Sequence, residues 1–182
     1  MLVFVIFLVV VIGLGIIVAM MYNQFVALAE RVKNARGQIA TQIESRWDAL
    51  TNLISATKEY SKHESETLEK VIAQRASINE NSSIEDIEKT DAQLNNVLGR
   101  LMAISESYPD LKASEVYKQT MENVTKFEDN VRHSRMIYND VVTRYNRQLK
   151  QFPSNIIGSM FGFKEEQYFE RSEEKGAMPV WN

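Results

Sequence analysis

The chain begins with an uninterrupted apolar stretch and continues with a body in which apolar and polar positions follow a helical rhythm. Residues 1–21 carry no charged or polar side chain, and only Gly13 and Gly15 are not apolar. As a helix this stretch is about 31 Å long, which matches the roughly 30 Å hydrocarbon core of a bilayer. It lacks the basic leading region and the small-residue cleavage site of a signal peptide. We therefore expect an uncleaved transmembrane anchor.

Beyond the anchor, apolar residues recur every three or four positions, with a period near 3.5 that is typical of helical bundles. The first stripe comprises Tyr22, Phe25, Ala29, Val32, Ile39, Ile43, Leu50, Leu53, Thr57, Tyr60, Leu68, Val71 and Ile78. As one helix, residues 22–78 would reach about 86 Å, which is too long for its partners to cover. We therefore predict a bend or reversal near Asp48–Asn52. The alternative is a single long helix, because the local signals there are weak.

A third helix is predicted after the polar run at 79–83. Ser82, with Glu85 three residues later, has the spacing of a capping box. The helix that follows carries a new apolar stripe and ends near Tyr108, because the following Pro109 disfavours helical geometry at the residue before it.

The last long helix is predicted over 115–152. Ser114 is a candidate N-cap, and Pro153 stops the helix. Because the connections are short, consecutive helices are expected to lie antiparallel. The predicted fold is all-α: a transmembrane helix followed by an antiparallel, up-and-down bundle of four helices, or of three long helices if no reversal occurs near residue 50.

This pattern divides the chain into three parts. Residues 1–21 form the anchor, 22–152 the helical bundle, and 153–182 an apolar appendage with a tail. The appendage either packs on the end of the bundle or touches the membrane, and packing is the preferred interpretation. From Arg171 onward we expect disorder.

Composition narrows the possible chemistry. The chain has no cysteine and only two histidines, so thiolate chemistry and multi-histidine metal sites are excluded within one chain. Seven glycines and three prolines are few for an all-β or glycine-loop α/β fold. Lys and Arg number 21 against 24 Asp and Glu, with a net charge of −3, so we predict no nucleic-acid partner. Common nucleotide-binding and hydrolase motifs are absent, and no cofactor is predicted.

Charged residues interrupt the apolar stripes at positions that the helical period assigns to the bundle interior. They are Arg36, Arg46, Glu64, Arg75, Asp91, Glu128 and Arg135. Buried charges must pair, and this set contains both signs. Our main interpretation is an interhelical polar seam of ion pairs that fixes the helix register. The alternatives are a ligand site lined by charge, or rotation of these side chains to the surface.

A metal site needs a different spacing from the one present. Helical di-iron sites use Glu-x-x-His motifs, whereas Glu59 and His63 are four residues apart, as are Asp129 and His133. We therefore predict no metal.

Two Tyr-Asn dipeptides are candidate packing pairs. Tyr138-Asn139 and Tyr145-Asn146 lie one heptad apart and so share one helix face. A tyrosine ring with its hydroxyl, next to an amide, suits an interhelical contact with a polar component.

The orientation in the membrane follows from charge beside the anchor. Arg31, Lys33 and Arg36 follow the apolar stretch, and only Glu30 opposes them. The positive-inside rule then predicts an outside N-terminus and a cytoplasmic bundle.

Several short motifs together resemble the LemA family of single-pass bacterial membrane proteins, over about residues 1–170. They are Tyr22-Asn23, Arg46-x-Asp48 with Asn52-Leu53, Tyr60-x-x-His63-Glu64, Ala73-x-Arg75, Glu106-x-Tyr108-Pro109-Asp110-Leu111-Lys112, and Glu128 with Arg135-x-x-Tyr138-Asn139-x-x-Val142-x-x-Tyr145-Asn146 followed by Phe152-Pro153. Thr51 departs from the family, which usually has proline there, and Ser134 replaces the favoured alanine. The resemblance implies a helical bundle behind an anchor. It implies no reaction, because the family has no established biochemical activity.

The predicted function is that of a non-enzymatic, membrane-anchored interaction or scaffold protein. Its expected partners are the lipid bilayer and a protein at the membrane, which could be a second copy of the chain. The alternative is a bundle that binds a small ligand or metal through the carboxylates of Glu64 and Glu128.

Overall fold

The computed structural model describes residues 1–58, 60, 62–73 and 76–169. Within these residues the chain forms six helices and no strand, which confirms the predicted all-α bundle. The helices are α1 (Leu2–Thr57), α2 (Lys62–Ala73), α3 (Ile84–Ser107), α4 (Pro109–Ala113), α5 (Glu115–Lys150) and α6 (Ser154–Met160).

Helix α1 contains both the anchor and the first helix of the bundle, and it is continuous between them. An 18-residue window near its N-terminus has a mean hydropathy of 3.4, and none of that window is buried within the protein. This part of α1 is long and apolar enough to cross a membrane. Burial begins at Phe25 and continues at Val32 and Ile39. The anchor and the bundle therefore share one helix axis.

Of the bend or reversal predicted near Asp48–Asn52, the reversal is wrong, because α1 continues to Thr57. No proline or glycine interrupts the helix there. The hydroxyl of Thr51 donates a hydrogen bond to the carbonyl of Trp47 at 2.8 Å, so its polar group is satisfied within the helix. The long helices are thus α1, α3 and α5, which is the three-helix alternative.

Helices α1 and α5 pack antiparallel along the length of the bundle. The amide of Gln148 donates to the side-chain oxygen of Gln24 at 3.3 Å, and the amide of Asn130 donates to that of Gln42 at 3.2 Å. As residue numbers increase along α1, those of the neighbouring residues on α5 therefore decrease. Their apolar faces share one core, in which Tyr138 is fully buried.

The chain returns along α1 through α2 and an extended segment at 76–80. The backbone N–H of Ile78 donates to a carboxylate oxygen of Glu44 at 3.4 Å. At Gly37, a Cβ atom would lie only 3.1 Å from the Cβ of Glu80, so this glycine permits the close approach. The first apolar stripe therefore does not continue as one helix to Ile78, but covers two helices and an extended segment.

The start of α3 differs by one residue from the prediction. The N-cap is Ser83, whose hydroxyl oxygen accepts from the backbone N–H of Asp86 at 3.1 Å. The capping box at Ser82 is wrong, because the Ser82 hydroxyl instead accepts from the N–H of Asn79 at 2.9 Å, within the preceding turn.

The two ends of α5 follow the prediction closely. Ser114 is the N-cap, and its hydroxyl oxygen accepts from the N–H of Tyr117 at 3.2 Å. The helix ends at Lys150 rather than at residue 152. Because Pro153 disfavours helical geometry at Phe152, the chain leaves the helix before that residue is reached.

Candidate functional site

The groove between α1 and α5 is covered by two different elements along its length. In the membrane-distal half the cover is α3, which meets α1 where Asp91 bonds Arg46. In the membrane-proximal half it is an extended segment, residues 163–169, which we call the strap. The strap begins at Phe163, whose ring stacks on Phe25 of α1 with centroids 5.0 Å apart.

A group of polar and charged side chains, the charge network, joins α1, α3 and α5 in the distal half, with Arg46 and Asp91 buried and Asn95 and Glu128 exposed. It comprises Arg46, Asp91, Asn95, Glu128 and Arg135. Arg46 is only 1% exposed. It donates through Nη1 to Asp91 Oδ1 at 2.7 Å and through Nη2 to Asn95 Oδ1 at 3.0 Å.

Asp91 is shared between two arginines. Its second oxygen, Oδ2, accepts from Nη2 of Arg135 on α5 at 3.0 Å. Glu128 Oε2 lies 3.9 Å from Arg46 Nη2, at the half-exposed edge of the network. Two guanidinium groups and two carboxylates therefore balance their charge. Because one carboxylate bridges three helices, the network fixes the register of all three at one level.

In the proximal half, two asparagines of α5 bind the strap through its backbone. The Asn146 amide donates to the carbonyl of Glu166 and accepts from the N–H of the same residue, both at 2.9 Å. In the same way, the Asn139 amide donates to the carbonyl of Phe169 at 3.2 Å and accepts from the N–H of Phe169 at 3.0 Å. Each asparagine thus pairs with the strap much as a neighbouring strand would.

The spacing of these bonds explains the one-heptad repeat of the Tyr-Asn pairs. Seven residues of α-helix advance about 10.5 Å, and three residues of extended chain advance about 10 Å. Asn139 and Asn146 are seven residues apart, and Phe169 and Glu166 are three apart. One heptad of α5 therefore matches three residues of strap, in the antiparallel direction.

The tyrosines of the same pairs also face the strap. The Tyr138 hydroxyl donates to the carbonyl of Gln167 at 2.9 Å. Burial raises the pKa of Tyr138, although Arg36 opposes that rise. Burial also raises the pKa of Tyr145, and the charge of Glu166 adds to the effect. Both phenols therefore stay protonated and able to donate at neutral pH.

Two further contacts hold the strap. Arg36 of α1 pairs with the Glu166 carboxylate at 2.6 Å. Phe169 is buried, with its ring edge-on to Tyr138 at 5.1 Å and beneath the guanidinium of Arg135 at 5.3 Å. Since Arg135 also bonds Asp91, the end of the strap abuts the charge network.

The structure brings some of the sequence-predicted seam residues together and separates others. Arg46, Asp91 and Arg135 meet in the charge network, with Glu128 at its edge. Arg36 lies apart from them and pairs with the strap rather than with a neighbouring helix. The side chain of Glu64 and the whole of Arg75 lie outside the described residues, as do Glu59 and the predicted disordered tail.

The candidate packing pairs Tyr138-Asn139 and Tyr145-Asn146 contact an extended segment and not the helix that we expected. Residues that the sequence reasoning missed are Asn95, Glu166 and Phe169. Asn95 follows Asp91 by four residues, so its place on the same face of α3 could have been inferred. Glu166 and Phe169 carry no periodic signal, because the strap is not a helix.

The described residues contain no group of three or more His, Asp or Glu side chains placed to hold a metal ion. His133 lies on the exposed face of α5, while the side chain of His63 is outside the described residues. Glu128, the described member of the ligand-binding alternative, lies beside Arg46 at the network edge.

An apolar membrane-crossing helix that continues into an all-α body defines a membrane-associated helical-bundle protein. The model of the LemA family matches residues 35–180, and the chain belongs to this family. It is 26% identical to Magnetosome protein MamQ 2 of Paramagnetospirillum magneticum in an alignment of 187 residues that covers 88% of this chain and 68% of that protein. It is 27% identical to Protein LemA of Metamycoplasma hominis in an alignment of 156 residues that covers 83% of this chain and 69% of that protein.

Proposed function

We propose that this chain is a non-enzymatic scaffold that holds a protein partner at a fixed position relative to the bilayer. One observation carries the proposal: α1 runs from Leu2 to Thr57 without a break, through both the anchor and the bundle core. The 36 residues from Tyr22 to Thr57 extend about 54 Å beyond the anchor. Motion of the anchor is therefore transmitted directly to the bundle.

The use of the buried polar groups supports a structural role for them. Arg46, Asp91 and Arg135 bond one another, and the Tyr-Asn pairs are occupied by the strap. General acid–base catalysis requires a titratable group within hydrogen-bond reach of a substrate, whereas these groups face their own chain. The names of the relatives, LemA and MamQ, are not enzyme names.

The expected orientation is part of the proposal. Arg31, Lys33 and Arg36 follow the anchor, which favours a cytoplasmic bundle. Because the chain has no cysteine, a single Cys at exposed Asn123 gives an unambiguous label. A membrane-impermeant maleimide should label N123C only after lysis. Labelling of N123C in intact cells would contradict this orientation and place the bundle outside the cell.

The scaffold role can be tested by separating the bundle from the anchor in two ways. One variant inserts seven Gly and Ser residues after Met21, and its matched control inserts seven helix-forming residues at the same point. The helical insertion moves the bundle about 10.5 Å along the helix axis but rotates it by only about 20°, so it preserves the face presented to a partner. The flexible insertion removes the fixed orientation.

The readout is in-cell photocrosslinking from exposed positions of α5, followed by recovery in detergent. We expect one partner to recur with the parent chain, to be retained with the helical insertion, and to fall at least fivefold with the flexible one. Equal thermal unfolding of both variants would show that the bundle is intact. An unchanged yield of crosslinked partner with the flexible insertion contradicts the fixed-orientation scaffold. If only crosslinks between copies of this chain are recovered, the partner is a second copy and not a different protein.

A further inference from the structure

The segment between α5 and the strap exposes a concentration of large apolar side chains. We call residues 152–161, which include α6, the apolar cap. Phe152 is 81% exposed, Ile156 55% and Met160 63%, and Phe161 is also exposed. Exposed apolar groups in such a cluster indicate a binding surface.

The cap packs beside the end of the anchor. The ring of Phe161 lies 4.8 Å from the ring of Tyr22, the first residue after the apolar stretch. Gly158 lies directly on α1, since a Cβ there would be 3.3 Å from Phe25 and 2.6 Å from Leu149. The inner face of α6 is thus fixed to the first turn of α1 beyond the anchor.

The depth of this contact decides what the outer face meets. Phe25 is four residues past Met21, which places it about 6 Å beyond the end of the anchor. The polar headgroup layer on each side of a bilayer is about 5–7 Å thick. The cap therefore lies at headgroup depth if the anchor spans the hydrocarbon core.

The charge pattern of the cap suits that environment. No charged residue lies between Lys150 and Lys164. At the border, Lys150 is already paired with Glu165 at 2.8 Å, and this contact raises the pKa of the Lys150 ammonium. The outer face consequently has large apolar groups and no charge of its own, while exposed Lys164 stands at its other border. Burial of apolar area would contribute most of its binding.

We propose that the outer face of the apolar cap inserts into the headgroup region of the bilayer beside the anchor and forms a second membrane contact. Phe152, Ile156 and Met160 are the inserting side chains. This contact would limit the tilt of the bundle on the membrane. It does not require the scaffold role or either orientation, since the cap stays next to the anchor whichever side the bundle occupies.

The test uses the full chain in nanodiscs of zwitterionic phosphatidylcholine and, in parallel, in nanodiscs that also contain anionic phosphatidylserine. Ile156→Cys is labelled with an environment-sensitive fluorophore, and lipids carrying a spin label near the headgroup act as the quencher. The matched control is Met102→Cys on α3, a site with 47% exposure in the membrane-distal half. Both sites are already exposed, so neither label should disturb folding.

We expect quenching at Ile156→Cys to exceed that at Met102→Cys at least threefold, with a blue-shifted emission. We also expect the excess to persist in 1 M salt, where the Debye length falls to about 3 Å. Equal quenching at the two sites overturns the proposal and would favour a protein partner, instead of lipid, on the outer face of the apolar cap. Quenching that needs anionic lipid and disappears in high salt overturns the apolar mode of contact.

Discussion

The two halves of the groove between α1 and α5 are closed by different chemistry. In the distal half, α3 is held by side chains on both sides, with Asp91 between Arg46 and Arg135. In the proximal half, the strap offers its backbone, and Asn139 and Asn146 bind it. The polar contacts of the distal half therefore use side chains in every element, whereas the asparagine contacts of the proximal half use side chains of α5 and only the backbone of the strap.

This difference has consequences for stability. Removal of one partner from a buried ion pair leaves an uncompensated charge, which costs about 3–5 kcal/mol. Loss of one neutral hydrogen bond costs about 1 kcal/mol. Failure of the distal half should therefore affect the whole bundle, whereas failure of the proximal half should first release the strap.

The largest expected effect is that of Asp91→Ala, because it removes the carboxylate that is hydrogen-bonded to buried Arg46 and leaves only Glu128, 3.9 Å away at the exposed edge of the network. The free energy of unfolding should fall by about 3–5 kcal/mol, measured by denaturant unfolding of the full chain in nanodiscs. Asp140→Ala, which removes only the exposed pair with Arg144, should change it by less than about 0.5 kcal/mol. Equal changes in the free energy of unfolding for the two substitutions would mean that the charge network stabilises the bundle no more than an exposed ion pair does.

A smaller and local effect is expected from the double variant Asn139→Ala with Asn146→Ala. It removes the acceptors of the Glu166 and Phe169 amides. Hydrogen exchange at those two amides should accelerate about tenfold or more, since 1.4 kcal/mol corresponds to a factor of ten. Exchange in α3 should stay unchanged.

The matched control for this variant is Asn130→Ala, at an exposed site on the same helix. It should leave strap exchange as in the parent chain. If the double variant accelerates exchange equally in α3 and in the strap, then the two halves open as one unit, and the strap is not released before the distal half.

The smallest expected effect is that of Arg36→Gln, because the Arg36–Glu166 pair is partly exposed. Strap docking should weaken by about 0.5–1 kcal/mol at low salt and by much less in 1 M salt. The asparagine contacts should show no such salt dependence. A salt-independent loss at Arg36→Gln would mean that packing of its side chain, and not its charge, holds the strap.

The sequence predicts the parts of the molecule that repeat. The period of the apolar residues predicts α3 and α5, and the uncharged run predicts the membrane-spanning part of α1, because burial on one helix face leaves a regular trace. Charged residues at interior positions likewise indicate that Arg46, Asp91 and Arg135 need partners, although which ones meet depends on the rotation of three helices.

The sequence does not predict the reversal after Thr57 or the strap. Glycine and proline are absent from the end of α1, so no turn signal marks the point. The strap is held partly through backbone groups, which every residue possesses and which leave no mark in the sequence. Its contacting side chains, Phe163, Glu166 and Phe169, belong to a stretch too short to show a repeat. The partner of Arg36 was therefore expected on a helix and is found at Glu166.

Hydrogen exchange over 22–29 shows whether α1 is continuous across the membrane boundary. In nanodiscs, we expect slow exchange without interruption from the anchor into the buried turns at Phe25 and Val32, because every amide there is bonded within one helix. Fast exchange over 22–29, between a protected anchor and a protected bundle, would reveal a flexible joint and contradict a rigid attachment of the bundle to the membrane.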